Sequence, residues 1–209
     1  MKKNEDIDLY RTLDKATIGV LYKDRKSKFY GYAFPLQHDY QVKEHLETIR
    51  KNHPTANHVC FAWQLGVHDI QHRVSDDGEP YNSAGMPIYG QIQSHDLTNI
   101  LVAVARIFGG TKLGVGGLIQ AYKTTAQQTL NTSHIIVMTL QKQIRIHFGY
   151  PEMDKVMRII KQQNATVNAQ HFSMNCILDV AVRETEVTPF VENLESVPGI
   201  QVVLLAAAD

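Results

Sequence analysis

Residues 98–108, TNILVAVARIF, restrict the fold more than any other stretch. The run is apolar, rich in branched residues, and bounded by polar residues on one side and glycines on the other. It is far shorter than the ~20 residues of a membrane span, and it reads as a central strand buried on both faces of a sheet. Two unusual loops flank it. Residues 75–87 place Asp76, Asp77 and Glu79 around Gly78, and residues 109–117 hold five glycines in nine positions with Lys112 as the only charge. Such loops cost conformational entropy on folding, so two of them around one buried strand mark the expected functional face.

Upstream, alternation over residues 17–23 and 29–36 around Asp24-Arg25-Lys26 predicts a hairpin with a basic loop. Lys23, Arg25, Lys26 and Lys28 read there as a solvated turn, with a phosphate-contacting edge as the alternative. Val42, Leu46 and Ile49 predict an amphipathic helix over residues 39–51 with Asp39 as its N-cap. Residues 58–66 read as a buried strand anchored by Trp63, residues 86–93 as a short helix, and residues 115–130 as a helix burying Leu118, Ala121 and Tyr122.

The character changes near residues 131–141. Ile144, Ile146 and Phe148 predict a strand, and Tyr150-Pro151 opens a helix with Met153, Val156, Met157 and Ile160 on one face. Asn164 or a neighbour caps its end. Strands follow at residues 166–174 and 176–183, the second turning Cys176, Leu178, Val180 and Val182 inward. Thr188-Pro189 then reads as N-cap and first residue of a helix lined by Phe190, Leu194 and Val197, before a last strand at 200–205. The order β-α-β-β-α-β is the ferredoxin-like pattern. The expected class is therefore α+β in two domains, residues 1–135 and 140–209.

Composition narrows the function classes. Apolar residues make up 44% and charged residues 20%, as in a globular protein, and formal net charge is zero. Residues 1–130 hold 15 Lys/Arg against 13 Asp/Glu, and the remainder 6 against 8. Neither half is a basic module by composition, which leaves only a local patch to contact phosphates. Cys60 and Cys176 each lie in a strand-like run and read as reduced thiols. The polar start, MKKNEDIDLYRTLDK, does not resemble a signal peptide, so the expected location is the cytoplasm.

The glycine loop follows a buried strand and precedes a helix, where free backbone N–H groups favour an anion. Arg106 and Lys112 would add positive charge, although Gly109, Gly110, Gly114, Gly116 and Gly117 have neither Walker A nor dinucleotide-fingerprint spacing. Tight turns and close packing explain the glycines equally well. Asp76, Asp77 and Glu79 are acid/base or cation-binding candidates, but capping of the next helix and pairing with Arg73 or Arg106 is the stronger reading. His68 and His72 stand four apart, yet their surroundings disfavour the helix that would align them on a metal. His58 and Cys60 share one strand face, which packing explains. No cofactor or metal signature and no catalytic triad is assigned.

The stretches KSKFYGYAFP (26–35), PTANHVCFAWQLG (54–66), SDDGEP with AGMP (75–87) and RIFGGTKLGVGGLIQAY (106–122) resemble the IMPACT/YigZ family. The resemblance implies an N-terminal domain with the fold of ribosomal protein S5 domain 2 and a C-terminal domain similar to an elongation factor G module. It also implies a role in translation, since eukaryotic members look like translational regulators. Their accessory domain has no counterpart here, so their activator-protein partner is not carried over. One segment and two single positions depart from the family pattern: Tyr81-Asn82-Ser83 in place of a Ser-Gly-Thr-like segment, Met86 where arginine is common, and Gln120 where a basic residue is frequent.

Three functions are thus in play. The first is a translation-associated regulator binding RNA, the ribosome or a translation factor through residues 73, 76–79, 106, 109–110, 112, 114 and 116–117. The second is an enzyme, a hydrolase or phosphotransferase holding a small anion at the same loops. The third is a protein-interaction module read through the acidic loop.

Overall fold

The computed structural model describes residues 8–205, which form an α+β protein of two compact units. One unit is Tyr10–Met138. The other consists of residues 139–205 together with Asp8 and Leu9, two residues that the sequence pattern assigns to the first domain.

The larger unit is built on a five-stranded sheet of β2 (Thr17–Asp24), β3 (Ser27–Pro35), β4 (His58–Leu65), β5 (Gln71–Ser75) and β6 (Ile100–Ile107). Its spatial order is β2-β3-β6-β4-β5, and every neighbouring pair is antiparallel. The apolar run forms the central strand, as its composition demands. Period-two alternation sends Ile100, Val102 and Val104 to one face and Leu101, Ala103 and Ala105 to the other. The first face is covered by α2 (Gly85–Ser94) and α3 (Gly114–Thr132), through Ile88, Ile92, Leu118, Tyr122 and Leu130. The second is covered by α1 (Gln41–Asn52), whose Val42 and Ile49 pack among Phe61 and Trp63.

Three strands have no counterpart in the sequence pattern. β5 is an exposed edge, and β1 (Leu9–Leu13) pairs with β7 (Ile135–Thr139) in a two-stranded sheet. None of the three shows the apolar alternation that identifies a half-buried strand, and β7 is only five residues long. Asp39 does not cap α1: the helix starts at Gln41, whose own Oε1 accepts the N–H groups of Gln37 and His38, each at 2.9 Å.

The smaller unit contains β8 (Gln141–Phe148), α4 (Met153–Gln162), β9 (Thr166–Phe172), β10 (Cys176–Arg183), α5 (Val187–Glu195) and β11 (Gln201–Leu204). Their sheet order β11-β8-β10-β9 is the ferredoxin-like arrangement. Cys176, Leu178 and Val180 stand opposite Phe148, Ile146 and Ile144, making one apolar face against Val156, Ile160, Phe190 and Leu194. Met157 is exposed instead, because Val156 and Ile160 define the buried stripe with Met153 and Ile159 beside it. Short 3-10 turns, Tyr150–Glu152 and Glu184–Glu186, precede both helices. α5 consequently begins at Val187, placing Thr188 and Pro189 inside its first turn rather than at its cap. Proline is tolerated there because its missing N–H has no helical acceptor. Asn164 ends α4 in the left-handed region at φ 52°.

Asp8 belongs to this unit and is fully buried. Its carboxylate accepts two hydrogen bonds from Arg183, at 2.7 and 2.8 Å, and one from Thr185 at 3.0 Å. The Arg183 guanidinium, as hydrogen-bond donor, is the main reason its pKa falls to about 2.

Candidate functional site

One rung of the large sheet positions the site. Arg106, near the end of β6, faces Phe29 of β3 and His58 of β4 in register, so all three side chains share the face covered by α2 and α3. There the acidic and glycine loops meet around a cavity of about 420 Å³. Glu79 and Pro80 contribute from the acidic loop, and Lys112, Leu113 and Gly114 from the glycine loop. Asn57, His58, Arg106, Phe108, Val115 and Leu118 complete the wall.

The carboxylates of the acidic loop are absorbed by the scaffold. Asp76 Oδ1 accepts the N–H groups of Ala84 and Gly85, each at 2.9 Å, and Oδ2 that of Asn82 at 2.8 Å. It therefore caps α2, whose N-cap residue Ala84 has no side chain able to do so. Asp77 Oδ2 accepts the backbone N–H of Val59 at 2.6 Å and the guanidinium of Arg50 at 2.7 Å. Glu79 is buried, and its Oε1 accepts from Arg106 Nη1 at 2.7 Å and from the Tyr122 hydroxyl at 2.8 Å. Gly78, at φ 89°, carries the turn past His58.

Cys60 completes this network, its thiol 3.0 Å from the Asp76 carbonyl oxygen and 3.3 Å from the Tyr122 hydroxyl. Burial pushes both the Cys60 thiol and the Tyr122 phenol far up, so both stay protonated at neutral pH. Neither supplies a nucleophilic anion. Arg106 lies between the rings of Phe29 and Phe108, 5.6 and 5.5 Å from their centroids, and its Nε is buried without a hydrogen-bond partner.

The other loop keeps its polar groups available. α3 begins at Gly114 behind Leu113, with no side chain capping it. Gly109 lies against the β2–β3 turn, where an added Cβ would fall 2.0 Å from the Lys26 carbonyl carbon. Its N–H donates to Ser27 Oγ at 3.1 Å. The turn itself runs through left-handed Arg25 and Lys26, at φ 43° and 70°. The exposed turn residues Arg25 and Lys26 thus stand beside the glycine loop that carries exposed Lys112, whereas Lys23 and Lys28, a cross-strand pair level with Ile107, belong to the α1 face of the sheet. None of the five is in an ion pair among the described residues.

The candidates from sequence do not all converge. Glu79, Arg106, Lys112 and Gly114 line the cavity. Asp76, Asp77 and Gly78 stand behind its wall, Gly109 locks the glycine loop to the hairpin, and Gly117 packs on Leu113. Added Cβ atoms at Gly110 and Gly116 would meet open space. Arg73 is elsewhere: it pairs with Trp63 across β5 and β4 and lines a separate cleft on the α1 face. The strand period decides this, because a β5 residue opposite Trp63 must share that face. His72 is on the same strand, stacked 4.5 Å from Tyr89, so the helical alignment with His68 does not exist. Asn57, His58 and Phe108 were missed as cavity residues. His58 shares the rung of Arg106, a clue that requires knowing the strand register, and Asn57 and Phe108 lie just outside β4 and β6, joined by the Phe108 N–H donating to Asn57 Oδ1 at 2.8 Å.

Residues 25–130, slightly more than half of the chain, match the Impact N-terminal domain. The chain belongs to the IMPACT family. Residues 146–196 match a second domain model, DUF1949, a domain of unknown function. The IMPACT family member YvyE of Bacillus subtilis is 29% identical over 167 residues, covering 80% of this chain and 77% of its own. The IMPACT family member YigZ of Escherichia coli is 28% identical over 193 residues, covering 91% and 95%. A crystal structure described as that of a hypothetical protein superposes with a TM-score of 0.71 at 25% identity, covering 97% of this chain and 98% of that one.

Of the three departures from the IMPACT pattern, the first is part of the acidic-loop network, since the Asn82 N–H donates to Asp76 Oδ2 and buried Ser83 donates to the Pro80 carbonyl oxygen. Tyr81 and Met86 are exposed at the acidic loop and the start of α2. Gln120 is exposed on α3 and donates to Thr124 Oγ1 at 2.9 Å.

Proposed function

We propose that this protein is a translation-associated regulatory protein of the cytoplasm that engages RNA, free or in the ribosome, at the edge where the glycine loop meets the β2–β3 hairpin. Membership of the IMPACT family supports the translational half of the reading. The observation that carries the RNA half is the docking of the exposed Arg25-Lys26 turn on Gly109, in the same loop as Lys112 and the uncapped start of α3. A chain with no net charge thereby presents a local cationic edge, the electrostatic requirement for contacting a phosphate backbone.

The competing enzyme reading assigns acid/base work to Asp76, Asp77 and Glu79. Each of these is held by N–H, guanidinium or hydroxyl donors of the scaffold, which disfavours that assignment.

The test is sedimentation with ribosomes, together with RNA binding, across a salt series. Binding should fall steeply with salt, and joint replacement of Arg25, Lys26 and Lys112 by alanine should weaken it without altering the unfolding transition. A protein that stays in the soluble fraction at low salt and binds no RNA would refute the proposal.

A further inference from the structure

Resting on that reading and making it more specific, we propose that the cavity between the two loops is a nucleotide-sized pocket for a phosphomonoester carried on a nucleoside, with His58 as its hydrogen-bond acceptor. Its volume of about 420 Å³ falls within the range of small-ligand pockets, roughly 300–1,000 Å³. Two opposed kinds of wall define the ligand.

The first wall is positive. Gly114 and Val115 line the cavity at the start of a 19-residue helix without a capping side chain, so their N–H groups have no intrahelical acceptor. Lys112 stands beside them without an ion-pair partner among the described residues. Arg106, which also lines the cavity, is 6% exposed and neutralises Glu79, while its Nε has no partner. Helix end and lysine together therefore leave a net positive wall suited to a phosphate.

The second wall accepts hydrogen bonds. His58 Nδ1 lies 2.7 Å from the backbone carbonyl of Asp77, which can only accept. In the neutral ring this contact places the proton on Nδ1, so that Nε2 is the acceptor. No described residue donates to that nitrogen. An acceptor there matches ribose hydroxyls or a base amino group. Between the walls, Phe108, Leu113 and Leu118 supply the apolar surface that a sugar and base would cover.

The experiment titrates the full chain with 5′-AMP, adenosine, inorganic phosphate, and a short oligoribonucleotide with either a 5′-phosphate or a 5′-hydroxyl. Binding is followed by calorimetry and by the His58 imidazole resonances. Saturable binding of 5′-AMP, at least about tenfold tighter than adenosine or phosphate alone, is expected (about 1.4 kcal/mol). A phosphorylated oligonucleotide that outcompetes 5′-AMP would identify an RNA end as the source of the nucleotide; equal affinity would identify free nucleotide. His58→Asn retains a donor for the Asp77 carbonyl but removes Nε2, and should weaken 5′-AMP about tenfold with the thermal midpoint unchanged. Lys112→Ala should weaken 5′-AMP while leaving adenosine unaffected.

Failure of 5′-AMP and of the phosphorylated oligonucleotide to saturate at millimolar concentration, or undiminished affinity in His58→Asn, would overturn the inference. Salt-sensitive ribosome or RNA binding that survives such a failure would leave the broader proposal standing. Nucleotide binding without any ribosome or RNA binding would do the opposite, keeping the pocket and refuting the broader proposal.

Discussion

The acidic loop and the glycine loop border one cavity, but they use their polar groups in opposite ways. Asp76, Asp77 and Glu79 hold the start of α2, an arginine of α1 and an arginine of the central strand. The glycine loop bears one charge, Lys112, which pairs with nothing among the described residues, and it ends on an uncapped helix. The loop with more chemically active residues is thus the more structural one. A carboxylate whose lone pairs are already filled by buried donors is part of the frame, whereas unfilled donors at a surface await a ligand.

The contrast breaks first at Glu79. Glu79→Ala strands the buried Arg106 guanidinium, and the chain should lose about 3–5 kcal/mol in chemical denaturation. A loss under ~1 kcal/mol would mean the pair does not organise the loops. Gly109→Ala comes next, since its methyl group would strike the Lys26 backbone. Overpacking there should lower stability by about 1–3 kcal/mol and lower the thermal midpoint. Asp76→Ala removes the remote cap of α2, and a loss of about 0.5–2 kcal/mol is expected by the same measurement.

The smaller unit offers a comparison confined to acid. Asp8 has a folded pKa of about 2 against an ordinary value of 3.8. Its depressed value means that its stabilisation is fully present above the ordinary value and is lost as pH falls through about 2. Thermal midpoints measured from pH 5 downwards should therefore decline more steeply for the natural protein than for Asp8→Asn. Lys112→Ala should have the smallest effect on folding, within about 0.5 kcal/mol. Its consequence should appear in binding, as a fall of about one in the salt slope for RNA. A folding defect instead would place Lys112 in the scaffold and erase the distinction between the loops.

Much of the fold was legible because burial imposes a period. The central strand announced both of its faces, and β10 announced its inward row, since apolar alternation leaves few other arrangements. β1, β5 and β7 were not legible, each being five residues long and lacking the alternation that a half-buried strand displays. Helix starts were misplaced where no side chain caps the helix, as at α1, or where a 3-10 turn precedes it, as at α5. Within the site, the pairing of Glu79 with Arg106 was among the arrangements foreseen, whereas Asp77 turned to Arg50, 27 residues away in sequence.

By itself, the sequence determined the family, the α+β class and the two loops that border the cavity. The class and the loops follow from local composition and periodicity, which a linear chain displays openly, and the family from the resemblance of four motifs. Only the tertiary structure decided which charges remain available. Strand register put His58 on a rung with Arg106 and sent Arg73 to the opposite face, and a single glycine let the basic hairpin dock on the loop. A polar group's role depends on whether a distant part of the chain satisfies it, and only folding brings that partner within hydrogen-bonding reach.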